Sequence, residues 1–291
     1  MDKTALVTGG TDGIGKEIAI GLARVGCHVL IVGRNAEKGR LAESEVRSAS
    51  AGANVHFLEA DLSLVREAKR LTAEVNRRCA TLSYLVHSAG VVIGRRELTR
   101  EGIESNFAIN YLSRFTLSTG LLPLLGRSAT RHHRSRILII SGAAKNRTVH
   151  FDDVNLTTRF GTLRAVLQFC QANDLFTVEF ANRLATAPDV AVNIACLKVG
   201  VVKTNIRRRF PTWMKWLVPL LMDPLLALSP RDVADPAVRL LIDSAFENVT
   251  GALFQLIRTF KAIGVPRTVR DPELRRRLWE LSEGLVARTP G

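Results

Sequence analysis

Thr4-Ala5-Leu6-Val7-Thr8-Gly9-Gly10-Thr11-Asp12-Gly13-Ile14-Gly15-Lys16-Glu17-Ile18-Ala19-Ile20-Gly21-Leu22-Ala23 passes from an apolar strand pattern, through a glycine-rich turn, into a helix pattern. Glycines remove the Cβ atoms that would keep a ligand off the backbone, and the free N–H groups at a helix start favour an anion. A tight turn with no ligand is the plain alternative. The strand before and the helix after are the context in which such a loop cradles a pyrophosphate. The stretch predicts a strand–turn–helix unit in which Gly9, Thr11, Asp12, Gly13, Ile14 and Gly15 meet the phosphates of a dinucleotide.

His28-Val29-Leu30-Ile31-Val32 reads as a second strand and ends at Gly33-Arg34-Asn35. A bare ribose is normally held by an acidic group at such a strand end, whereas a guanidinium suits a 2′-phosphate. Arg34, with Lys38 as a helper, therefore points to NADP(H) over NAD(H). An ordinary solvated arginine is the competing account of Arg34.

Strand and helix patterns go on alternating. Strands are expected at Asn54–Leu58, Tyr84–Val86, Arg136–Ile140 and Val190–Cys196, and helices at Leu64–Arg78, Glu101–Leu121 and Arg164–Ala187. Repeated βα units predict an α/β fold: a Rossmann-type, doubly wound parallel sheet in three α/β/α layers, with ligands beyond the carboxyl ends of the strands. Residues just after the third and fourth strands, Asp61-Leu62 and Ser88-Ala89-Gly90, join the cofactor set.

Two further segments stand out. Residues 205–229 carry Trp213, Trp216, Leu217, Leu220 and Leu221, and are interrupted by Lys215, Pro219, Asp223 and Pro224. Such a stretch is a poor bilayer span and reads as an apolar lid over a hydrophobic small-molecule substrate, with packed core as the plain alternative. Residues 271–287 read as an added amphipathic helix, with Leu274, Leu278, Leu281 and Leu285 on one face, that docks on the body or on a partner.

With 46% apolar residues and no low-complexity linker, the 291-residue chain is expected to form one domain, 1–291. Cys27, Cys79, Cys170 and Cys196 lie far apart without metal-ligand spacing, and no leader pattern precedes the first strand, so the expectation is a reducing, cytoplasmic setting and no metal. The net charge is +14, and basic clusters occur at Arg127–Arg136, Arg207–Arg209 and Arg275–Arg277. No aromatic interleaving or nucleic-acid motif accompanies these clusters, which argues against a nucleic-acid partner. Solvated surface is the plain account. Attraction of an anionic substrate, an acidic carrier protein or lipid head groups, hence peripheral membrane contact, is the functional one.

In their order and spacing these motifs resemble the short-chain dehydrogenase/reductase family over nearly the whole chain. The resemblance rests on Thr8 to Lys16, Asp61-Leu62, Ser88-Ala89-Gly90, Phe107-Ala108-Ile109-Asn110-Tyr111-Leu112, Ile139-Ile140-Ser141 and Gly200-Val201-Val202-Lys203-Thr204. Phe151 to Leu156 and Gln168 to Leu184 look most like its retinol dehydrogenase-like branch. The resemblance implies a nicotinamide cofactor, a cofactor contact at Thr204, a helix-bending and water-holding role for Asn110 and pairing of subunits into a homo-oligomer.

It also implies a serine after the fifth strand, a tyrosine that exchanges the proton, and a lysine four residues later that holds the ribose. Here Gly142, Val166 and Cys170 occupy those positions, with Ser141 one residue early. The only two tyrosines, Tyr84 and Tyr111, are followed at the fourth position by Ser88 and Phe115. The family's Pro-Gly after the sixth strand reads Val199-Gly200, preceded by Lys198.

Three functions follow as alternatives. The chain is an atypical NADP(H)-binding oxidoreductase, with Asn110, Ser141 and Lys198 at the reaction site. Or it is a non-redox catalyst, a cyclase, dehydratase or isomerase, on the same scaffold. Or it is an inactive relative that senses cofactor or binds a partner. Lys145, Lys198, Lys203 and Cys170 are the candidate replacement groups, against their plain readings as surface lysines and a small buried apolar residue; His87 lines the cofactor loop at most.

Overall fold

Every residue of the first strand, β1 (Thr4–Thr8), is buried, as a strand covered on both faces requires. Its side chains divide by parity: Leu6 packs with Leu30 and Leu85 on one face of the sheet, and Ala5 and Val7 with Val29 and Ile31 on the other. The computed structural model describes residues 3–50, 52–130, 133–143, 147–187, 190–202 and 227–289.

Within them β1 leads to α1 (Gly13–Arg24), β2 (His28–Gly33), α2 (Ala36–Ser48), β3 (Val55–Glu59), α3 (Val65–Arg78) and β4 (Tyr84–His87). A broken helix follows: α4 (Ser105–Phe107), a π-helical turn at Ala108–Leu112, α5 (Ser113–Gly120) and α6 (Leu122–Ser128). Then come β5 (Ser135–Gly142), α7 (Thr162–Ala185), β6 (Val192–Val199), α8 (Pro230–Ile242), β7 (Ala252–Leu256), β8 (Phe260–Ile263), α9 (Arg267–Arg270) and α10 (Pro272–Ala287). The strands form one eight-stranded sheet in the order β3-β2-β1-β4-β5-β6-β7-β8.

All pairings from β3 to β7 are parallel and only β8 runs antiparallel, so the expected doubly wound α/β sheet forms, with one reversed edge strand. One face is covered by α3, α5 and α7 through Leu71, Leu117 and Phe176, the other by α1, α2 and α8 through Ile18, Val46 and Leu240. Helices α1 and α8 approach closely because Gly21 faces Val238: a Cβ on Gly21 would lie 2.7 Å from a Val238 methyl. Strand order reverses between β1 and β4, which opens a crevice at their carboxyl ends.

The helix expected over Glu101–Leu121 starts later and is interrupted. Glu104 caps it by accepting from the Asn106 and Phe107 N–H groups at 3.0 and 2.8 Å. At the interruption the Asn110 side-chain amide donates to the Asn106 carbonyl at 2.8 Å. A side chain inserted into the helical ladder is a recognised cause of such a widened turn.

The C-terminal helix α10 docks on the body. Leu278 and Trp279 are buried, the Trp279 ring lies 5.0 Å from Phe115 and 6.1 Å from Phe176, and the Tyr111 hydroxyl bonds Ser282 at 2.7 Å. Burial of Leu278 alone is worth about 2 kcal/mol. The buried face centres on Leu278, Trp279 and Ser282, with Leu274 and Leu285 at its flanks. Among the described residues no helix is long and apolar enough to cross a membrane. The lid assigned to 205–229, apart from its last three residues, lies outside the described residues, as do Lys145, Lys203 and Thr204.

Candidate functional site

At the carboxyl end of β1 the chain turns on Gly9 and Gly13, both at positive φ (+67° and +51°), a region costly for any residue with a Cβ. A Cβ on Gly9 would lie 2.8 Å from Ala89 Cα, and one on Gly15 would strike the Gly9 carbonyl. Asp12 caps α1 by accepting from the Gly13 N–H at 2.8 Å. The Thr8 hydroxyl accepts from the Ser88 and Ala89 N–H groups, both at 3.2 Å, and ties the loop after β4 to the loop after β1.

Between these loops lies a cleft of about 400 Å³. Its lining includes Gly9, Thr11, Asp12, Gly13, Ile14, Gly15, Arg34, Asp61, Leu62, Ser88, Ala89 and Gly90, so the structure brings together every cofactor residue read from the sequence except Thr204. Arg34 stands exposed at the end of β2. Lys38 bonds the Asp12 carboxylate at 2.5 Å. Asp61 accepts from the Ser63 N–H at 3.1 Å, fixing its own turn. Sequence reasoning missed Val32, Ala60, Ser63, Val91 and Ile109, which also line the cleft; four are apolar and the fifth is a single turn serine, none with a chemical signal of its own.

Asn110 braces the far wall. Its side-chain oxygen accepts from the Val91 N–H at 3.0 Å, its amide donates to the Val91 carbonyl at 2.8 Å, and its backbone carbonyl accepts from the Asn173 amide at 3.0 Å. Ser141 at the end of β5 is buried, and its hydroxyl accepts from Asn173 at 3.4 Å. Val166 is half-buried and packs on the core, and Cys170 is fully buried. Burial pushes the Cys170 thiol up to about 11, against smaller opposing hydrogen bonds from Ser141 and Gly142, so it is a neutral thiol at pH 7.

Lys198 extends from β6 toward α7 and forms an ion pair with Asp174 in which both side chains are sealed, 1% and 0% exposed. It does not line the cleft, which corrects the expectation of a lysine presented to substrate: its ammonium is turned inward to a buried carboxylate. Burial raises Asp174 to about 6 even with Lys198 opposing that shift.

A second sealed cation is Arg114, whose guanidinium donates to the Ile140 carbonyl at 2.9 Å and the Ala89 carbonyl at 3.0 Å, joining the ends of β5 and β4. Burial pushes it down to about 10. Beside it, His87 pairs with Ser118 at 2.9 Å; burial first, and Arg114 second, hold the imidazole well below its usual range. His87 is therefore a neutral core residue and does not line the cleft.

Asp174 and Arg114 were missed in the sequence, yet a signal was there. Asp174 sits four residues after Cys170 on a buried helix face, and Lys198 between Leu197 and Val199 in a buried strand. Charged side chains where the pattern demands apolar ones must find each other.

A parallel sheet with a glycine-built turn at its switch point defines a dinucleotide-binding type of α/β protein. The family model for short chain dehydrogenase matches residues 3–169, and the chain belongs to that family of NAD(P)(H)-using oxidoreductases, in its retinol dehydrogenase-like branch. It is 29% identical to human (Homo sapiens) polyprenol dehydrogenase over 282 residues, 97% of this chain and 84% of that protein. It is 31% identical to mouse (Mus musculus) retinol dehydrogenase 13 over 289 residues, 98% of this chain and 84% of that protein. Among solved structures, an uncharacterized protein from Mycobacterium paratuberculosis shares the fold with TM-score 0.76 at 22% identity, covering 98% of this chain and 93% of that one. The RhlG/NADP complex of Pseudomonas aeruginosa shares it with TM-score 0.70 at 24% identity, covering 88% and 94%.

Proposed function

We propose that the chain binds NADP(H) at the β1–α1 turn and acts as an oxidoreductase on a hydrophobic small molecule without the tyrosine–lysine proton relay of its relatives. The observation that carries the reading is an open cradle built from backbone, with Arg34 and Lys38 at its β2 end. The positions where a Cβ would close the cradle, Gly9 and Gly15, are both glycine. The cofactor, when bound, supplies or accepts the hydride. Gly9, Gly13 and Gly15 admit the phosphates, Arg34 faces the 2′-phosphate, and Ala89, Gly90 and the Asn110-braced Val91 form the wall along which the nicotinamide half would lie.

Ser141, buried beside Asn173 and not part of the cleft lining, braces the end of β5 beneath the site. The proton comes from solvent or from the substrate itself. The substrate class is supported by the relatives, whose names specify polyprenol and retinol. The four free thiols, three of them buried, support a reducing, cytoplasmic setting.

Calorimetric titration of cofactor-stripped protein tests the reading. Micromolar NADPH binding, with NADH at least about tenfold weaker, followed by NADPH oxidation in the presence of retinal or a polyprenal, is the expected result; binding of neither nucleotide overturns it. A second reading, a cofactor-binding protein without turnover, is favoured by the sealing of Cys170 and Lys198. It predicts NADPH binding with neither nicotinamide oxidation nor product from any such substrate. Product formed with no change at the nicotinamide absorbance band would point to non-redox catalysis instead.

A further inference from the structure

Among the described residues, the charged side chains that line the cleft are Arg34, Lys38, Asp12 and Asp61, two cations and two carboxylates. That balance is unfavourable for a site meant to select a dianionic phosphate. Asp12 stands nearest the question. One of its oxygens accepts from the Gly13 N–H at 2.8 Å, so a carboxylate already occupies the positive end of α1. Its other oxygen holds the Lys38 ammonium at 2.5 Å, with the two side chains 36% and 42% exposed. Thr11, next in chain, packs against Gly33, where a Cβ would lie 2.7 Å from the Thr11 methyl. This contact draws the Asp12 turn up to the end of β2, where Arg34 stands.

We infer that Asp12 is an internal competitor for the 2′-phosphate: it engages Lys38, adds a like charge to the β2 end of the cleft, and so limits how strongly the protein discriminates NADPH from NADH. The inference rests on the NADP(H) reading of that cleft. A 2′-phosphate placed against Arg34 must share Lys38 with the Asp12 carboxylate, whose like charge opposes it, and an exposed ion pair of this kind is weak enough to be rearranged. NADH makes no such demand, so Asp12 acts on the ratio of the two affinities.

Calorimetry with NADPH and NADH, and with 2′,5′-ADP against ADP to isolate the phosphate end, is the test. Asn at position 12 keeps an acceptor for the Gly13 N–H, and D12S keeps a helix cap by a different side chain, so both variants should fold, as thermal melts would verify. The expected result for D12N is NADPH and 2′,5′-ADP binding about fivefold tighter, with NADH and ADP moving less than about twofold, and the gain shrinking at high salt. K38M should cost more NADPH affinity in the D12N background than in the native one. Unchanged or weaker NADPH binding in D12N overturns the inference, as does an equal gain for both nucleotides. If the native protein binds neither NADPH nor NADH, the cofactor reading itself falls, and that result is visible before any variant is compared.

Discussion

Around the β1–α1 turn the cleft is walled by backbone: glycines at positive φ, a helix start, and loops tied by the Thr8 hydroxyl. Around β5, α7 and β6 the side chains instead face inward, away from the cleft: Cys170 is fully buried, Lys198 is sealed on Asp174, and Arg114 from α5 is spent on the Ile140 and Ala89 carbonyls. The first region needs only small residues and open N–H groups, so a binding site of this kind survives wide change in side chains. The second turns on particular side chains, and those at 142, 166 and 170 are a glycine, a half-buried valine and a buried cysteine. Charge in that region faces inward, Lys198 onto Asp174 and Arg114 onto strand-end carbonyls.

Lys198→Met should give the largest effect, because it strips the buried Asp174 of its cation. Loss of one partner of a sealed pair costs about 3–5 kcal/mol, read as the drop in unfolding free energy in urea at pH 7. Lys198→Met combined with Asp174→Asn should recover most of it. The pH dependence sharpens the test. Folded Asp174 keeps its proton to about 6, whereas an unfolded aspartate releases it near about 4. Between those values the folded form binds more protons. This group's contribution to stability is thus greatest below about 4, falls as pH rises to about 6, and is level above. Without Lys198 the carboxyl is raised further, so the decline should continue above pH 6 in Lys198→Met and vanish in Asp174→Asn. Parallel profiles for Lys198→Met and the native protein over that range would separate Lys198 from Asp174.

Gly9→Val attacks the other region. A β-branched residue at φ +67°, with its Cβ 2.8 Å from Ala89, strains the turn and fills the cradle. NADPH affinity should fall about 100-fold, or about 2.7 kcal/mol, in a protein whose circular dichroism stays native. Binding retained within about threefold would place the phosphates elsewhere and erase the contrast between the two regions.

The contrast also explains what could be read from the sequence. A backbone-built site is written in glycines and in the switch from strand to helix pattern, so the cleft from Gly9 to Gly90 was legible before any coordinates. The strands through β6 and helices α1, α3 and α7 followed from the same periodicity, whereas α2 and α6 were not read. The edge of the sheet was not legible: β7 and β8 are five and four residues long, and β8 is half-exposed, so no apolar run announces it. Periodicity alone read the helix broken at Ala108–Leu112 as continuous; only the family resemblance pointed to a bend at Asn110, whose side chain bonds the Asn106 carbonyl there. Lys198 was legible as unusual but not as sealed, because its direction is set by Asp174, 24 residues earlier in the chain.

The smallest expected effect asks whether the vacated positions form one repacked unit. A Cβ on Gly142 would lie 3.0 Å from the Cys170 sulfur, and Cys170 has no exposed surface into which it could withdraw. Gly142→Ser should therefore cost about 1 kcal/mol by overpacking. Cys170→Ala should cost about 1–2 kcal/mol through the space it leaves. In the double variant the serine Cβ gains the room that the sulfur gave up, so the combined loss should fall short of the sum by about 1 kcal/mol, measured by urea unfolding of all four proteins. A coupling near zero would make positions 142 and 170 independent of each other. A clear coupling would mean that glycine at 142 and cysteine at 170 hold each other in place, so that restoring one catalytic position alone is opposed by the packing of the other.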